Sequence, residues 1–430
     1  MVAGRDLPAR GLSPRYFERV QSRQTRSVIA LLSSVFCSST AVALLTTVLG
    51  KLVFDMTGSE LALGLLGLAE FAPAALLVFV TGTVADRVDR RRLAAVALSF
   101  EALAVTAIAF YAGTNPTSTL PIFALVVAYG TARAFATPAT RSLPADLMPP
   151  ERLPWLTARQ SATWQGASIV GPVIGGFLYV AGVWIPFAAA AVMVVLAAIL
   201  VLGVQRIPRA ATEPGAPARP RPSMREAVEG LRFVRSQPIL LGAISLDLFA
   251  VLFGGAVALL PAIAQDRLGV GAVGLGWLRA AIGIGAGAVT IYLAWRPVSR
   301  RVGRTLLVAV ALFGVGTIVL GLTTSFVVAF LALMALSGAD SVSVFIRSTL
   351  VPLVTPPDKR GRVLAVEAVF IGASNELGAF ESGVVGQLLG PAAAIVLGGA
   401  ATLAVAALWW QFFPALRRVD GFPGYDRVVP

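Results

Sequence analysis

The residues in this sequence that could do chemistry are ionisable side chains set inside long apolar runs. Glu70, Glu101, Arg133, Asp247, Arg279, Asp340, Glu376 and Glu381 all fall in stretches otherwise built from alanine, valine, leucine and glycine. Inside a membrane each costs roughly 2.5–3.5 kcal/mol on insertion scales, so each needs a partner, water or a task. Depth along the chain suggests partners. Glu101 and Arg133 both fall about 12 Å from the nearer end of their runs, which predicts a buried ion pair between them. Arg279 and Glu381 match in depth near the other end and predict a second. Either pair could be a static salt bridge, and Arg133 could instead serve gating or anion binding. Asp247 and Asp340 have no arginine at their depth that stands out as a partner. Burial disfavours the charged form of a carboxylate, so such groups are candidates for carrying a proton or contacting a cationic substrate. The alternative is a hydrogen bond to backbone or polar neighbours. Glu70 and Glu376 lie at mid-depth, where coupling and a plain interface hydrogen bond both remain open.

Composition sets the frame for these charges. Of 430 residues, 57% are hydrophobic and only 13% are charged, and the mean hydropathy is +0.81. That much apolar surface excludes an ordinary soluble domain and fits an all-α polytopic membrane protein. The net charge of +13 would suggest nucleic acid for a soluble chain. Here the arginine bias of cytoplasmic loops explains it, and no nucleic-acid partner is expected. There is no histidine and one cysteine, Cys37, inside the first run. A histidine-rich metal site, an intramolecular disulfide and a histidine-based hydrolytic triad are thereby excluded. No Gly-x-x-x-x-Gly-Lys-Ser/Thr phosphate loop is present, which argues against an ATP-driven pump. Neither enzyme activity nor a cofactor is expected.

Twelve spans are predicted, at 27–53, 61–83, 93–111, 120–140, 158–180, 184–204, 239–262, 272–295, 306–322, 326–345, 363–389 and 392–413. The first is longer than a signal-peptide core and has no cleavage-site pattern close behind it, so it reads as a retained span. If the N-terminus is inside, most of the 35 Lys and Arg fall in inner segments, which places both termini in the cytoplasm. The organisation is therefore a tail (1–26), a six-span bundle (27–204), a cytoplasmic linker (205–238), a second six-span bundle (239–413) and a second tail (414–430). The linker begins with the proline-rich stretch 208–222, which is unlike a folded segment. Ser223 and Glu226 then form a capping box, and Ala227, Leu231, Phe233 and Val234 give the next segment an apolar face. A short amphipathic helix at the inner membrane surface is expected.

The halves look related. Asp86-Arg87-Val88-Asp89-Arg90 after span 2 aligns with Arg300-Arg301-Val302-Gly303-Arg304 after span 8. Arg141-Ser142 after span 4 aligns with Arg347-Ser348 after span 10. A parallel six-span repeat builds one class of transporters. In the first copy of the loop, Gly82, Asp86, Arg87, Arg90 and Arg91 pack a glycine, acids and spaced basics into a short hairpin. The second copy has Arg296 for Gly82 and Arg300 for Asp86, so only the first is expected to offer an acid.

These residues carry a resemblance. Gly82-x-x-Ala85-Asp86-Arg87-x-x-Arg90-Arg91-x-Leu93, with twelve spans and a central linker, resembles the major facilitator superfamily and its loop signature. Gly171-Pro172-Val-Ile-Gly175-Gly176 in span 5 is similar to the exporter-associated glycine-proline motif of that superfamily, with Ala167 at its usual leading glycine. The stretches 242–250, 302–304, 346–348 and 370–383 resemble the enterobactin-exporter branch, a siderophore exporter group among the drug:proton antiporters. The resemblance implies two pseudo-symmetric six-helix bundles about one cavity, lined by spans 1, 4, 7 and 10, with spans 2, 5, 8 and 11 between the bundles. It implies a monomer in the bilayer of the cytoplasmic membrane that exchanges a small-molecule substrate for protons. It assigns the loop to a conformational latch, with Asp86 meeting the start of span 11 near Val363 or Arg141 at the end of span 4. For the span 5 motif, close packing against Gly276, Gly283, Gly285 and Gly287 of span 8 is the first expectation. A facilitator or importer on the same fold, or a sensor that transports nothing, are the competing readings.

Overall fold

The computed structural model describes residues 14–205 and 224–422. The described residues are helical apart from short turns, and among them twelve helical spans are long and apolar enough to cross a membrane. Span 1 belongs to the helix Pro14–Thr57, span 2 is Glu60–Arg87, span 3 Arg90–Ala112, span 4 Leu120–Leu147, span 5 Leu153–Ala181 and span 6 Ile185–Leu202. The second half contains span 8 (Ala272–Trp295), span 9 (Val302–Leu322), span 10 (Phe326–Val354), span 11 (Arg360–Leu389) and span 12 (Pro391–Phe412). Their starts are chemically marked. Ser59 accepts from the Ala62 N–H at span 2, and Asp89 accepts from Arg91 and Arg92 N–H at span 3, each satisfying free donors of a first turn. Spans 4, 5, 6 and 12 carry proline in their first turn, where its missing N–H costs nothing.

Several helices outrun the hydropathic runs. Spans 4 and 10 continue to Leu147 and Val354, well past the expected ends at 140 and 345. Hydropathy averages fall once Arg141 or Arg347 enters the window, whereas the helices run on, through Pro144 in span 4 and Pro352 in span 10. Span 7 departs in another way. An α-helix covers Pro238–Phe253, a 3-10 turn covers Gly255–Leu259, and a short α-helical turn, Leu260–Ala262, leads into a π-helical turn, Ile263–Arg267. The break falls where Gly254 and Gly255 press on neighbours. A Cβ on Gly254 would meet the Phe313 ring at 2.5 Å, and one on Gly255 the Gly378 carbonyl at 2.3 Å. Span 7 is thus a discontinuous helix, the kind tolerated at membrane depth where protein surrounds it.

The core divides as the chain does. One buried cluster draws on spans 1 to 6, from Val28 to Val204. Two others lie almost wholly in spans 7 to 12. Between the halves, span 2 packs on span 11 and span 5 on span 8. The named contacts across this boundary gather at mid-depth and toward the face opposite the termini. Ser59 donates to Gln387 at 2.6 Å, Lys51 to Gln265 at 2.8 Å, and the Glu60 side chain lies where a Cβ on Gly386 would be, at 3.0 Å.

On the basic face, a helix of the linker, Met224–Ser236, docks on the second bundle. Val234 is buried beside Leu240, Ile244, Val351 and Val363. Glu229 pairs with Arg362 at 3.0 Å, and Lys359 lies over the Phe233 ring at 4.5 Å. The proline-rich stretch and Ser223 lie outside the described residues. After span 12, the segment from Phe413 to Phe422 turns back beneath the bundle. The Val302 N–H donates to the Asp420 carbonyl at 3.1 Å and the Gly303 N–H to Val419 at 2.9 Å, while the Arg301 N–H reaches the Asp420 carboxylate at 3.3 Å. The second loop copy therefore does have an acid beside it, supplied by the tail. Sequence alignment of the two loops could not reveal it, because the acid lies more than a hundred residues downstream.

Candidate functional site

Two groups of charged side chains sit within the helical bundle. The first is centred on Arg133 of span 4. Its Nε lies 3.9 Å from Glu70 Oε1 on span 2, and its Nη1 donates to the Tyr129 hydroxyl at 3.2 Å. Packing fixes this meeting. Gly130 lets span 4 come against the backbone of Glu70, where a Cβ would stand 2.2 Å from the Glu70 carbonyl oxygen. Glu101 of span 3 is 3% exposed and lies within the electrostatic reach of Arg133, but no direct ion pair joins them within 4.0 Å among the described residues. The nearer carboxylate is Glu70, because the close approach at Gly130 brings span 2 rather than span 3 to Arg133. Glu376 enters from the other bundle. Its Oε2 lies 3.0 Å from the Cβ position of Gly67, one helical turn from Glu70, and it sits in the fields of Glu70 and Arg133. Glu70 and Glu376 thus face each other across the seam between span 2 and span 11.

The second group is in the C-terminal bundle. Arg347 Nη2 lies 2.7 Å from Asp247 Oδ1, and Nη1 lies 4.0 Å from Glu367. Its Nε–H donates to Ser343 at 3.4 Å, and Arg347 is 4% exposed. This corrects the expectation that Asp247 lacks an arginine at its depth. Hydropathy ends span 10 at 345 and leaves Arg347 in a loop; the helix instead runs on, with Ile346, Leu350 and Val351 buried around it. The apolar spacing of 346, 350 and 351 was the available signal. Asp340 lies one turn above Ser343 and makes no ion pair within 4.0 Å among the described residues. It shares a cleft with Asp247, Ser343 and Phe313.

Arg279 and Glu381 are not brought together. Despite their equal depth, no ion pair within 4.0 Å joins them among the described residues; span 8 packs chiefly on spans 5 and 10, and span 11 on spans 2 and 7. Glu381 is approached by the Ser382 hydroxyl at 3.4 Å. The Arg279 Nε–H is buried without a hydrogen-bond partner.

The span 5 glycines serve two neighbours rather than one. Cβ atoms on Gly171 and Gly175 would strike Thr40 and Leu44 of span 1, whereas one on Gly176 would stand 2.5 Å from the Ala272 carbonyl of span 8. Span 8 answers with Gly276, whose Cβ would lie 2.5 Å from the Pro172 carbonyl, and with Gly283 against Ser168 and Ile169. Gly285 turns instead to Met334 of span 10. Gln165 adds a polar tie, donating to the Gly283 carbonyl at 2.5 Å.

In the loop after span 2, the basic residues hold the N-terminal bundle. Arg90 pairs with Asp146 at 3.3 Å, and Arg91 donates to the Val204 carbonyl at 3.1 Å, closing the end of span 6. Arg87 and Arg141 are exposed, and nothing stands within 4 Å of a Cβ on Gly82. The side chain of Asp86 lies outside the described residues. Among the described residues no cluster of three or more potential metal ligands occurs.

A family model described as the Major Facilitator Superfamily matches residues 31–345. Among solved structures, a bacterial homolog of the human lysosomal transporter Spinster, in an inward-facing and unoccupied conformation, superposes with a TM-score of 0.67. Its identity is 16%, over 95% of this chain and 97% of that one. A POT family transporter in complex with 5-aminolevulinic acid gives 0.70 at 11% identity, over 91% and 96%. A D-xylose–proton symporter gives 0.63 at 16%, over 91% and 98%. At these identities the likeness is one of fold. No curated protein matches the sequence.

Proposed function

Since the chain belongs to the major facilitator superfamily, it is a secondary transporter of small molecules, and we propose that it exports a small organic molecule in exchange for protons. The observation that carries this reading is the set of carboxylates held at membrane depth, Glu70 and Glu376 across the bundle seam and Asp247 and Asp340 in the C-terminal bundle. A protein that only sensed or scaffolded would gain nothing from their insertion cost. Alternating access moves one bundle against the other about a fixed site, and the seam acids are placed to feel that motion. Export is favoured over import by the glycine-proline motif of span 5 and by the resemblance to siderophore and drug exporters. The arginine-rich face, with both termini, faces the cytoplasm by the positive-inside rule.

Comparative extracellular metabolite profiling of a deletion strain under iron limitation is expected to identify the substrate. With it in hand, energised inside-out vesicles carry the test. Substrate added to an antiporter shifts the luminal pH, whereas a uniporter leaves it unchanged. Glu70→Gln, Asp247→Asn, Asp340→Asn and Glu376→Gln combined are expected to abolish that shift. An undiminished shift in the combined variant would remove proton coupling through these groups.

A further inference from the structure

Arg279 sits where the two bundles meet. Its Nη2 is 3.9 Å from the Cβ position of Gly50 on span 1, a point also approached by Pro261 at 3.2 Å and Leu63 at 3.9 Å. The guanidinium therefore reaches from the C-terminal bundle toward the N-terminal one through largely apolar surroundings. Its Nε–H is buried and has no hydrogen-bond partner, and among the described residues no carboxylate lies within 4.0 Å of it. The acid whose field reaches it is Glu70, which Arg133 already engages at 3.9 Å. Arg133 and Arg347 both have carboxylate partners; Arg279 stands apart from them. Arg279 is partly buried and lacks a protein partner, and ionisable residues in spans mark substrate or ion pathways.

We propose that Arg279 is the recognition group for an oxyanion on the transported molecule, which makes the substrate an organic carboxylate with an apolar body. The inference rests on the transporter reading above and names its substrate class. A guanidinium offers parallel N–H groups that match the two oxygens of a carboxylate, and among the described residues no hydrogen bond or ion pair occupies those of Arg279. Pro261 and Leu63 are buried beside it, so they and the enclosed Nε–H become surface for a ligand when the bundles part. A ligand held there would touch both bundles, so its binding is tied to their closure.

The test uses full-length protein purified in detergent, with sodium benzoate as a minimal aryl carboxylate and benzamide as its neutral counterpart at equal ionic strength. Benzoate is expected to raise the thermal unfolding midpoint of the wild type, and benzamide to leave it unchanged. Arg279→Gln is expected to unfold at or above the wild-type midpoint without ligand, since a charge without a protein partner is removed, and to lose the benzoate response. The proposal is overturned if benzoate has no effect on the wild type, if benzamide matches it, or if R279Q keeps the full response. A marked loss of stability in unliganded R279Q would equally overturn it, because it would show that Arg279 is structurally paired. Binding in detergent needs no proton gradient, so an absent substrate-driven pH change in the vesicle assay above would sink proton exchange and leave this anion site standing.

Discussion

At the scale of residues, Asp247 and Asp340 divide in role although the sequence presents them alike. Asp247 is fixed by Arg347 at 2.7 Å in a site where both side chains are under a tenth exposed. Removing one member of a buried pair leaves the other uncompensated. Asp247→Asn is expected to cost about 3 kcal/mol of stability, with Glu367 at 4.0 Å limiting the loss. Asp340→Asn breaks no ion pair and is expected to cost no more than about 1 kcal/mol. Thermal unfolding of the two purified variants would separate them, and equal losses would sink the distinction. Which residues are charged and deep was legible from the sequence. Which of them meet was not, because depth fixes only one coordinate. Glu101 and Glu70 illustrate this, since both lie near the level of Arg133 and the choice between them is made by Gly130, whose missing side chain lets span 2 approach. Arg279 and Glu381 share a depth and form no ion pair among the described residues.

At the scale of elements, the seam between span 5 and span 8 is closed through backbone contacts that allow no side chain. Gly276→Val would push its Cβ into the Pro172 carbonyl, 2.5 Å away. The expected result is an opened seam, read by cross-linking cysteines placed at Gln165 and Gly287, where the Gln165 Cγ lies 3.4 Å from a Cβ on Gly287. The pair should form a disulfide readily in the otherwise unchanged protein and poorly alongside Gly276→Val; equal yields would show that the seam tolerates the bulk. The loop after span 2 supports a different prediction. Arg90 and Arg91 hold Asp146 and the end of span 6, and we propose Asp86 as the latch residue of this loop. Asp86→Asn is expected to slow transport several-fold while leaving substrate affinity unaltered. Normal turnover in that variant would end the latch idea. Twelve helices and their order could be read from apolar runs, since about 20 apolar residues are needed to span a bilayer. Helix ends could not, because arginine lowers hydropathy without breaking a helix, as Arg347 does in span 10. The break in span 7 also escaped, since Gly254 and Gly255 look like any other small pair until Phe313 and Gly378 are seen against them.

At the scale of the whole molecule, the two bundles each have a core of their own and meet along two seams. Tying them together should therefore stop the cycle without unfolding either half. Cysteines placed at Ser59 and Gln387, which are in hydrogen-bond contact at 2.6 Å, are expected once oxidised to abolish transport, and a reductant to restore it; transport that persists in the cross-linked protein would mean that the bundles need not part at that face. The return of the segment after span 12 has a consequence for how the molecule is made. Spans enter a membrane in the order of synthesis, so span 9 arrives before Val419 and Asp420 exist to receive the N–H groups of Val302 and Gly303. A Cβ on Gly303 would stand only 1.8 Å from the Leu416 carbonyl, so the slot is shaped for a strand of chain still to come. The second bundle must wait, inserted but unfinished at its base, until its twelfth helix has crossed, whereas the first has Asp89 in place to cap span 3 from the outset.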